Sequence, residues 1–312
     1  MIKYIFGPVP SRRLGVSLGV DIVPFKTCTL DCIYCECGRT NRLTVERGNF
    51  VEPQIVLEEL KQVLSLHRHL DYITFSGSGE PTLHQEIGVI INRIKELTPV
   101  PVAVLTNGTL LFRDEVRKDL LSADLVLPSL DAITPGVFAR INQPHAALDI
   151  QLIGDGLVEF SRQYRGQIWL EVFIVSGIND GDDELDKLYA AIQRIAPQRV
   201  QLNSLDRPPA YENVEPVDFQ VLERIVKKWA DLPVEIIKRA KRRGEIAAFS
   251  RNLENSILNT LRRRPLTIED LEAMTGKKRV EIFKYIDILE KEKKIAVKIN
   301  QDKIFYVSNA AS

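Results

Sequence analysis

One alternation constrains this chain most. Between residues 16 and 237, short apolar runs take turns with longer segments of helical periodicity. The pattern predicts strands over 16–22, 71–75, 101–105, 124–130, 168–175, 199–203 and 234–237. It predicts helices over 53–66, 83–97, 114–121, 148–164, 183–195 and 219–230. The first helix shows the logic, with Pro53 in its opening turn and Ile55, Val56, Leu60, Val63 and Leu64 along it. The strand runs are apolar almost throughout, as strands buried on both faces are, so they predict a parallel sheet with helices outside. Right-handed crossovers allow an open doubly wound sheet or a partial barrel. In either, polar residues at the carboxyl ends of the strands face one site. Ahead of the first strand, Arg12 and Arg13 lie in a Pro-rich turn and read equally well as a solvated pair or as an anion contact.

Of the chain's four cysteines, Cys28, Cys32 and Cys35 stand at the spacing C-x3-C-x2-C, and Cys37 follows two residues later. No apolar run approaches the roughly 20 residues of a membrane span, and the opening MIKYIFGPVPSRR lacks the apolar core of a signal peptide. The expectation is a cytoplasmic protein with no membrane partner, where a tight cysteine group reads as a metal site rather than as disulfides. Three thiolates on one loop can hold three irons of a 4Fe–4S cube and leave the fourth iron open to a small ligand. Cys37 as a fourth ligand would close that iron, so it reads as a free thiol. Tyr34 directly precedes the last thiol of the triad.

The residues after the predicted strands are the second signal. Ser76, Gly77, Gly79 and Glu80 follow one strand, Thr106, Asn107 and Gly108 the next, Ser129 and Asp131 a third, and Asn203 ends a fourth. Turn chemistry alone would explain one such loop. Four of them beside a cysteine triad point to one mouth. Glycine lets backbone come close to a ligand, and Glu80 with exposed carbonyls can accept from an ammonium. Of the four histidines, His67 and His69 read as solvated, and no histidine constellation suggests a metal.

The triad Cys28, Cys32 and Cys35, with Ser76-Gly77-Ser78-Gly79-Glu80-Pro81, resembles the signature of the radical SAM superfamily. The resemblance covers roughly residues 14–237. It implies that S-adenosylmethionine binds the open iron of a single 4Fe–4S cluster. It further implies that the 76–80 loop meets the methionyl amino group, and that Asn107, Ser129, Asp131 and Asn203, with Tyr34, line the rest of the cofactor; Glu171 and Asn179 are weaker candidates. The implied chemistry is one-electron reduction by a flavodoxin- or ferredoxin-type donor, giving a 5′-deoxyadenosyl radical that abstracts a substrate hydrogen. A narrower resemblance rests on GPVPSRRLG, SLGVD, KTC-x3-C-x2-C, PSLDA, IN-x-PH and LNSLDRPPA. These look like a group of Fe–S oxidoreductases related to the wyosine tRNA-modifying enzymes. The cysteines of the additional cluster in those enzymes are missing here, so the implied activity is modification of an RNA base rather than wyosine formation itself. Arg140, Asn142, His145, Arg207 and Tyr211 are the substrate-side candidates.

Net charge is zero over 312 residues, yet it is unevenly spread: residues 238–312 hold 18 Lys and Arg against 10 Asp and Glu, and residues 1–237 hold 24 against 32. This asymmetry predicts a core domain over 1–237, a basic linker over 238–247 and a second domain over 248–312. In the second, helices over 248–264, 268–274 and 280–291 precede a hairpin of 295–299 and 304–307, with Thr267 and Asp270 forming a capping box. That order is expected of a winged helix-turn-helix. Lys277, Lys278, Arg279 and Lys284 would face RNA or DNA phosphates. Two other readings stay open: a non-catalytic Fe–S sensor that regulates transcription, and a radical enzyme whose substrate is a protein or small molecule.

Overall fold

The computed structural model describes residues 2–65, 69–237, 253–277, 279–301 and 303–309. A hairpin of β1 (Ile5–Ser11) and β2 (Gly15–Val20) opens the chain. The cysteine loop follows, pinned by the two-residue strands β3 (Thr27–Cys28) and β4 (Arg42–Leu43). Then come α1 (Pro53–Leu64), β5 (Tyr72–Phe75), a 3-10 turn at Pro81–Leu83, α2 (Ile87–Leu97), β6 (Val102–Thr106), α3 (Asp114–Leu120) and β7 (Leu125–Pro128). The series ends with α4 (Pro135–Asn142), α5 (Ile150–Gln163), β8 (Gln167–Phe173), α6 (Asp182–Ile195), β9 (Arg199–Asn203), α7 (Phe219–Lys228) and β10 (Val234–Ile236). One sheet runs β1-β2-β5-β6-β7-β8-β9-β10, parallel from β2 onward, with β1 antiparallel at its edge.

Successive side chains along each strand separate two environments. Leu18, Val20, Ile73, Phe75, Val102, Val104, Leu170, Val172, Val200 and Leu202 point outward into a core shared with the helices. Leu14, Ala103, Leu125, Leu127 and Trp169 pack in a separate inner cluster, joined by Tyr72 and Leu105. Above that inner floor the same face turns polar, with Ser17, Thr74, Gln201 and Asn203 buried. The strands are thus apolar on the outer face and graded on the inner one, a correction to the uniform apolarity read from the sequence. The sheet curls: Arg13 of the β1–β2 turn forms an ion pair with Glu171 of β8 at 3.0 Å, and Arg12 reaches Asp206, beyond β9, at 3.7 Å. This agrees with a partial barrel whose end strands stay unpaired to each other among the described residues.

Two elements escaped the sequence reading. Strand β1 contains Gly7, Pro8 and Pro10, which suppress a strand pattern, but proline is tolerated on an edge strand. Helix α4 opens on Pro135-Gly136, a pair that reads as a turn. The helix expected from 83 begins at Ile87, because Glu80 accepts from the Thr82 amide and caps the 3-10 turn instead.

The C-terminal residues form α8 (Leu253–Leu261), α9 (Ile268–Thr275), α10 (Arg279–Lys291) and the hairpin β11 (Ile295–Asn300) with β12 (Lys303–Ser308). The capping box of Thr267 and Asp270 is present. Ile257, Leu261, Leu266, Leu271, Met274, Ile282, Ile286 and Leu289 make a core of their own, and Val9 of β1 is part of it. The module therefore sits on β1, covering an edge that would otherwise offer unpaired backbone. Residues 238–247, expected as a basic linker, the start of the helix expected from 248, Lys278, His67 and the side chain of Lys284 lie outside the described residues.

Candidate functional site

The cysteine loop lies across the carboxyl ends of the strands, and its fold follows from backbone bonds to three neighbours. Asp31 N and Ile33 N donate to Asn142 O and Ile141 O of α4 at 3.0 Å each, His145 N donates to Thr29 O at 3.0 Å, and Glu80 N donates to Thr27 O at 3.1 Å. Each thiol of the triad has its own N–H donor. Asn107 Nδ2 approaches Cys28 Sγ at 3.5 Å, Asn142 Nδ2 approaches Cys32 Sγ at 3.3 Å, and Lys26 Nζ approaches Cys35 Sγ at 3.2 Å. Among the described residues no set of three or more His, Cys, Asp or Glu side chains is gathered around a single ion.

The thiols differ in acidity. Burial, helped by Glu80, pushes Cys28 up to about 12, and burial with Asp131 raises Cys32. Cys35 goes the other way, to about 6, because Cys37 donates to it and Lys26 lies beside it. Cys37 itself is raised, by that bond to Cys35 and by burial, and its Sγ also meets the backbone oxygens of Gly77 and Arg263. It therefore behaves as a donor to the triad.

The loop after β5 is held by Glu80, which is 2% exposed. Its carboxylate accepts from Thr82 N at 3.0 Å, Thr106 Oγ1 at 2.6 Å and Asn107 N at 2.7 Å. Glu80 thus ties two strand ends together, where the sequence suggested a free acceptor for an ammonium. The glycines are needed for loop packing. A Cβ on Gly77 would lie 2.2 Å from Asp21 Cγ, and one on Gly79 would lie 2.2 Å from Thr27 O. Ser76 stands at the mouth, half-buried, its amide donating to Val20 O at 3.1 Å.

Deeper in, Asp131 is buried and accepts from the Tyr34 hydroxyl, from Asn142 Nδ2 at 2.8 Å and from Phe173 N at 2.9 Å. Burial raises its carboxyl to about 6. The Tyr34 ring stacks on Phe173 at 3.9 Å between centroids. Tyr34, Asn107, Ser129 and Asp131 line a narrow cavity of about 20 Å³. Across it, Ser129 Oγ lies 3.4 Å and Asn203 Nδ2 2.9 Å from Glu171. Burial would raise Glu171, but Arg13, Asn203 and Arg12 hold it below the ordinary carboxylate range. Asn179, considered near this strand, bonds only backbone, joining Val175 N, Asp131 O and Phe173 O.

The sequence-derived substrate group divides. Asn142 belongs to the mouth, bonded to Cys32 and Asp131. His145 supports the cysteine loop from behind, through its backbone. Tyr211 donates to Asp31 at 2.7 Å on the loop's outer side, beneath the Arg39 guanidinium. Arg140 is exposed and bonds Gly177 O at 3.3 Å, away from the mouth. Arg207 joins the C-terminal module, with Asp270 at 3.2 Å. His84 is buried and bonded to Val51 O. Three contributors went unnoticed: Lys26, Asp21 and Arg263. Lys26 is signalled only by standing two residues before Cys28. Asp21 accepts from Ser78 and from Arg263 Nε at 2.9 Å; a pairing across 242 positions leaves no local trace in sequence.

Comparison with known proteins bears on this geometry. A family model described as the radical SAM superfamily matches residues 22–189, more than half of the chain. The UPF0026 protein of Methanocaldococcus jannaschii is 31% identical over 312 residues, covering 98% of this chain and 96% of that one. A protein of Brachyspira hyodysenteriae named GTPase Obg is 40% identical over 270 residues; they are 85% of this chain and only 39% of that longer protein. Among solved structures, TYW1 with a lysine-pyruvate adduct bound superposes with a TM-score of 0.54 at 16% identity, over 72% of this chain and 76% of that one. That last likeness is one of fold. Among the described residues, no helix is long and apolar enough to cross a membrane.

Proposed function

The chain belongs to the radical SAM superfamily, and from that membership we propose that it cleaves S-adenosylmethionine reductively at one 4Fe–4S cluster held by Cys28, Cys32 and Cys35. The observation that carries the reading is the ring of N–H donors, Asn107, Asn142 and Lys26, each directed at one sulfur of the triad. Such donors stabilise thiolate and fix its orientation, as partners behind metal ligands do. When bound, a reduced cluster supplies the electron that splits S-adenosylmethionine for hydrogen abstraction. The rest falls to the chain. Ligation requires thiolates, so loading releases protons, and Cys35 is the thiol nearest to that state. The backbone of the 76–79 loop, which Glu80 ties to the end of β6, would hold the methionyl end. Asn107, Ser129, Asp131 and Asn203 would bind the adenosyl part. The cavity beside Tyr34 holds little more than a water molecule, so the ring stacked on Phe173 would have to give way to it. The floor of Leu125, Leu127 and Trp169 excludes water below it.

As substrate we propose an RNA base, with the C-terminal module acting as a winged helix that brings the nucleic acid to the mouth. The support is the wyosine-related sequence pattern and the basic charge of residues 238–312. A second reading, a protein substrate or partner, is favoured by the module's surface. Arg279, though exposed, is paired with Glu269 at 2.6 Å and Glu272 at 3.1 Å, and Val297, Ile299 and Ile304 of the hairpin are exposed. The test is an anaerobic assay of reconstituted full-length chain with and without total RNA. The reading expects roughly four irons per chain, 5′-deoxyadenosine release and a modified base. Iron without cleavage supports a sensor. Zinc in place of iron overturns the enzyme reading altogether.

A further inference from the structure

We propose that Arg264 forms an oxyanion-binding site at the junction of the C-terminal module and the barrel, taking a carboxylate or a phosphate in its side-on guanidinium fork. The observation is specific. Nε and Nη2 of Arg264 are both removed from solvent and find no hydrogen-bond partner among the described residues. Those two nitrogens carry the parallel N–H pair that matches two oxygens of a carboxylate or phosphate.

The surroundings are charged but do not match the fork. Arg207, itself 5% exposed, pairs with Glu36 Oε2 at 3.2 Å and Asp270 Oδ2 at 3.2 Å, and its Nη1 also reaches Pro265 O. Arg12 lies 3.8 Å from Glu36 and 3.7 Å from Asp206. Lys303 lies 3.3 Å from Asp206. Four cations, Arg12, Arg207, Arg264 and Lys303, thus share three carboxylates, Glu36, Asp206 and Asp270. Both carboxylates that face Arg264, Glu36 and Asp270, are already taken by Arg207. Among the described residues the Arg264 guanidinium is the cation left over, and a buried charge is costly unless something pairs with it. Burial, with Arg207 alongside, pushes even this guanidinium down to about 10.

The position is informative too. The site is built from four separate parts of the chain: the β1–β2 turn, the cysteine loop through Glu36, the loop after β9, and the turn between α8 and α9. It lies where the curled sheet is open and the module spans the gap, beside the residue between Cys35 and Cys37. The site goes beyond the cleavage reading and stands or falls separately from it.

The test is thermal unfolding of the full-length chain in sodium phosphate, in sodium acetate and in sodium chloride at equal ionic strength. A ligand that binds only the native state raises Tm by mass action. The expected result is a rise of several degrees in phosphate or acetate over chloride, abolished in Arg264→Gln and at least halved in Arg264→Lys, which keeps the charge and loses the fork. The anion giving the larger rise identifies the ligand as phosphate-bearing or carboxylate-bearing. The proposal is overturned if neither anion raises the wild-type Tm above chloride, or if either variant keeps the full rise. The lysine variant decides the matter should the glutamine variant fail to fold. No S-adenosylmethionine enters the experiment, so its failure is distinct from failure of the cleavage reading.

Discussion

Two buried polar networks flank the cysteine loop, and they differ in how fully they are matched. On the mouth side, Glu80, Asp131 and Glu171 each accept from described donors, and Asn107 and Asn142 link those carboxylate networks to the thiols; Arg13 Nη1 is its one badly directed group, though still 3.0 Å from Glu171 among the described residues. On the module side, Arg12, Glu36, Asp206, Arg207 and Asp270 leave the Arg264 fork empty. A satisfied network holds its loops in one arrangement, whereas an unsatisfied one is unstable until something completes it. The first is a scaffold for a site, and the second behaves as a receptor.

The largest effect is expected where the scaffold meets the metal. Cys32→Ala should abolish both iron incorporation and 5′-deoxyadenosine release, read by metal analysis and product chromatography; full iron content in that variant would remove the triad from the reading. Next comes the ion pair across the lumen. Arg13→Gln leaves Glu171 buried without its ion pair, held by Asn203 and Ser129, for an expected loss of about 3 kcal/mol in denaturant unfolding. The double change with Glu171→Gln should restore much of it. A single-variant loss under about 1 kcal/mol would mean the networks are not matched in the way described.

Asp131 sharpens the contrast through pH. Its carboxyl titrates near about 6 in the folded chain against an ordinary 3.8, so folding favours its protonated form. The associated stability is complete below pH 3.8 and is lost as pH rises through about 6. Relative to Asp131→Asn, the wild type should therefore lose up to about 3 kcal/mol across that window, a difference of roughly two pKa units. A flat difference between the two curves would contradict the burial of Asp131. Gly77→Ala should cost about 1–3 kcal/mol, since its Cβ would overlap Asp21. Gly181→Ala, whose Cβ meets nothing within 4 Å, is the control. Smallest of all, Arg264→Gln in chloride should raise stability, by up to about 1 kcal/mol, because it removes a charge with no partner. A loss as large as that of Arg13→Gln would make the module-side network a scaffold as well.

The parallel sheet was legible because apolar runs such as Ile73–Phe75 and Val102–Val104 record burial one residue at a time. The cysteine triad was legible because its ligands share one loop. Functions carried by pairs distant in sequence were not. Nothing near Asp21 announces Arg263, and nothing near Glu171 announces Arg13. Asn142 could be suspected only as a polar residue in a motif, because the helix that aims it at Cys32 opens on Pro135-Gly136 and reads as a turn. Glu80 illustrates the opposite limit. Its place in the motif was plain, while its partners, Thr106 and Asn107, are set by how β5 and β6 align.

The reach of Arg263 has a consequence for the order of events during synthesis. Its guanidinium pairs with Asp21, stacks over Phe6 and bonds Lys3 O, and its own carbonyl meets Cys37. Every one of those partners leaves the ribosome more than two hundred residues earlier. For most of translation the cysteine loop therefore lacks the contacts that the turn around Arg263 brings. The carbonyl that meets Cys37 arrives only after every strand of the large sheet has emerged.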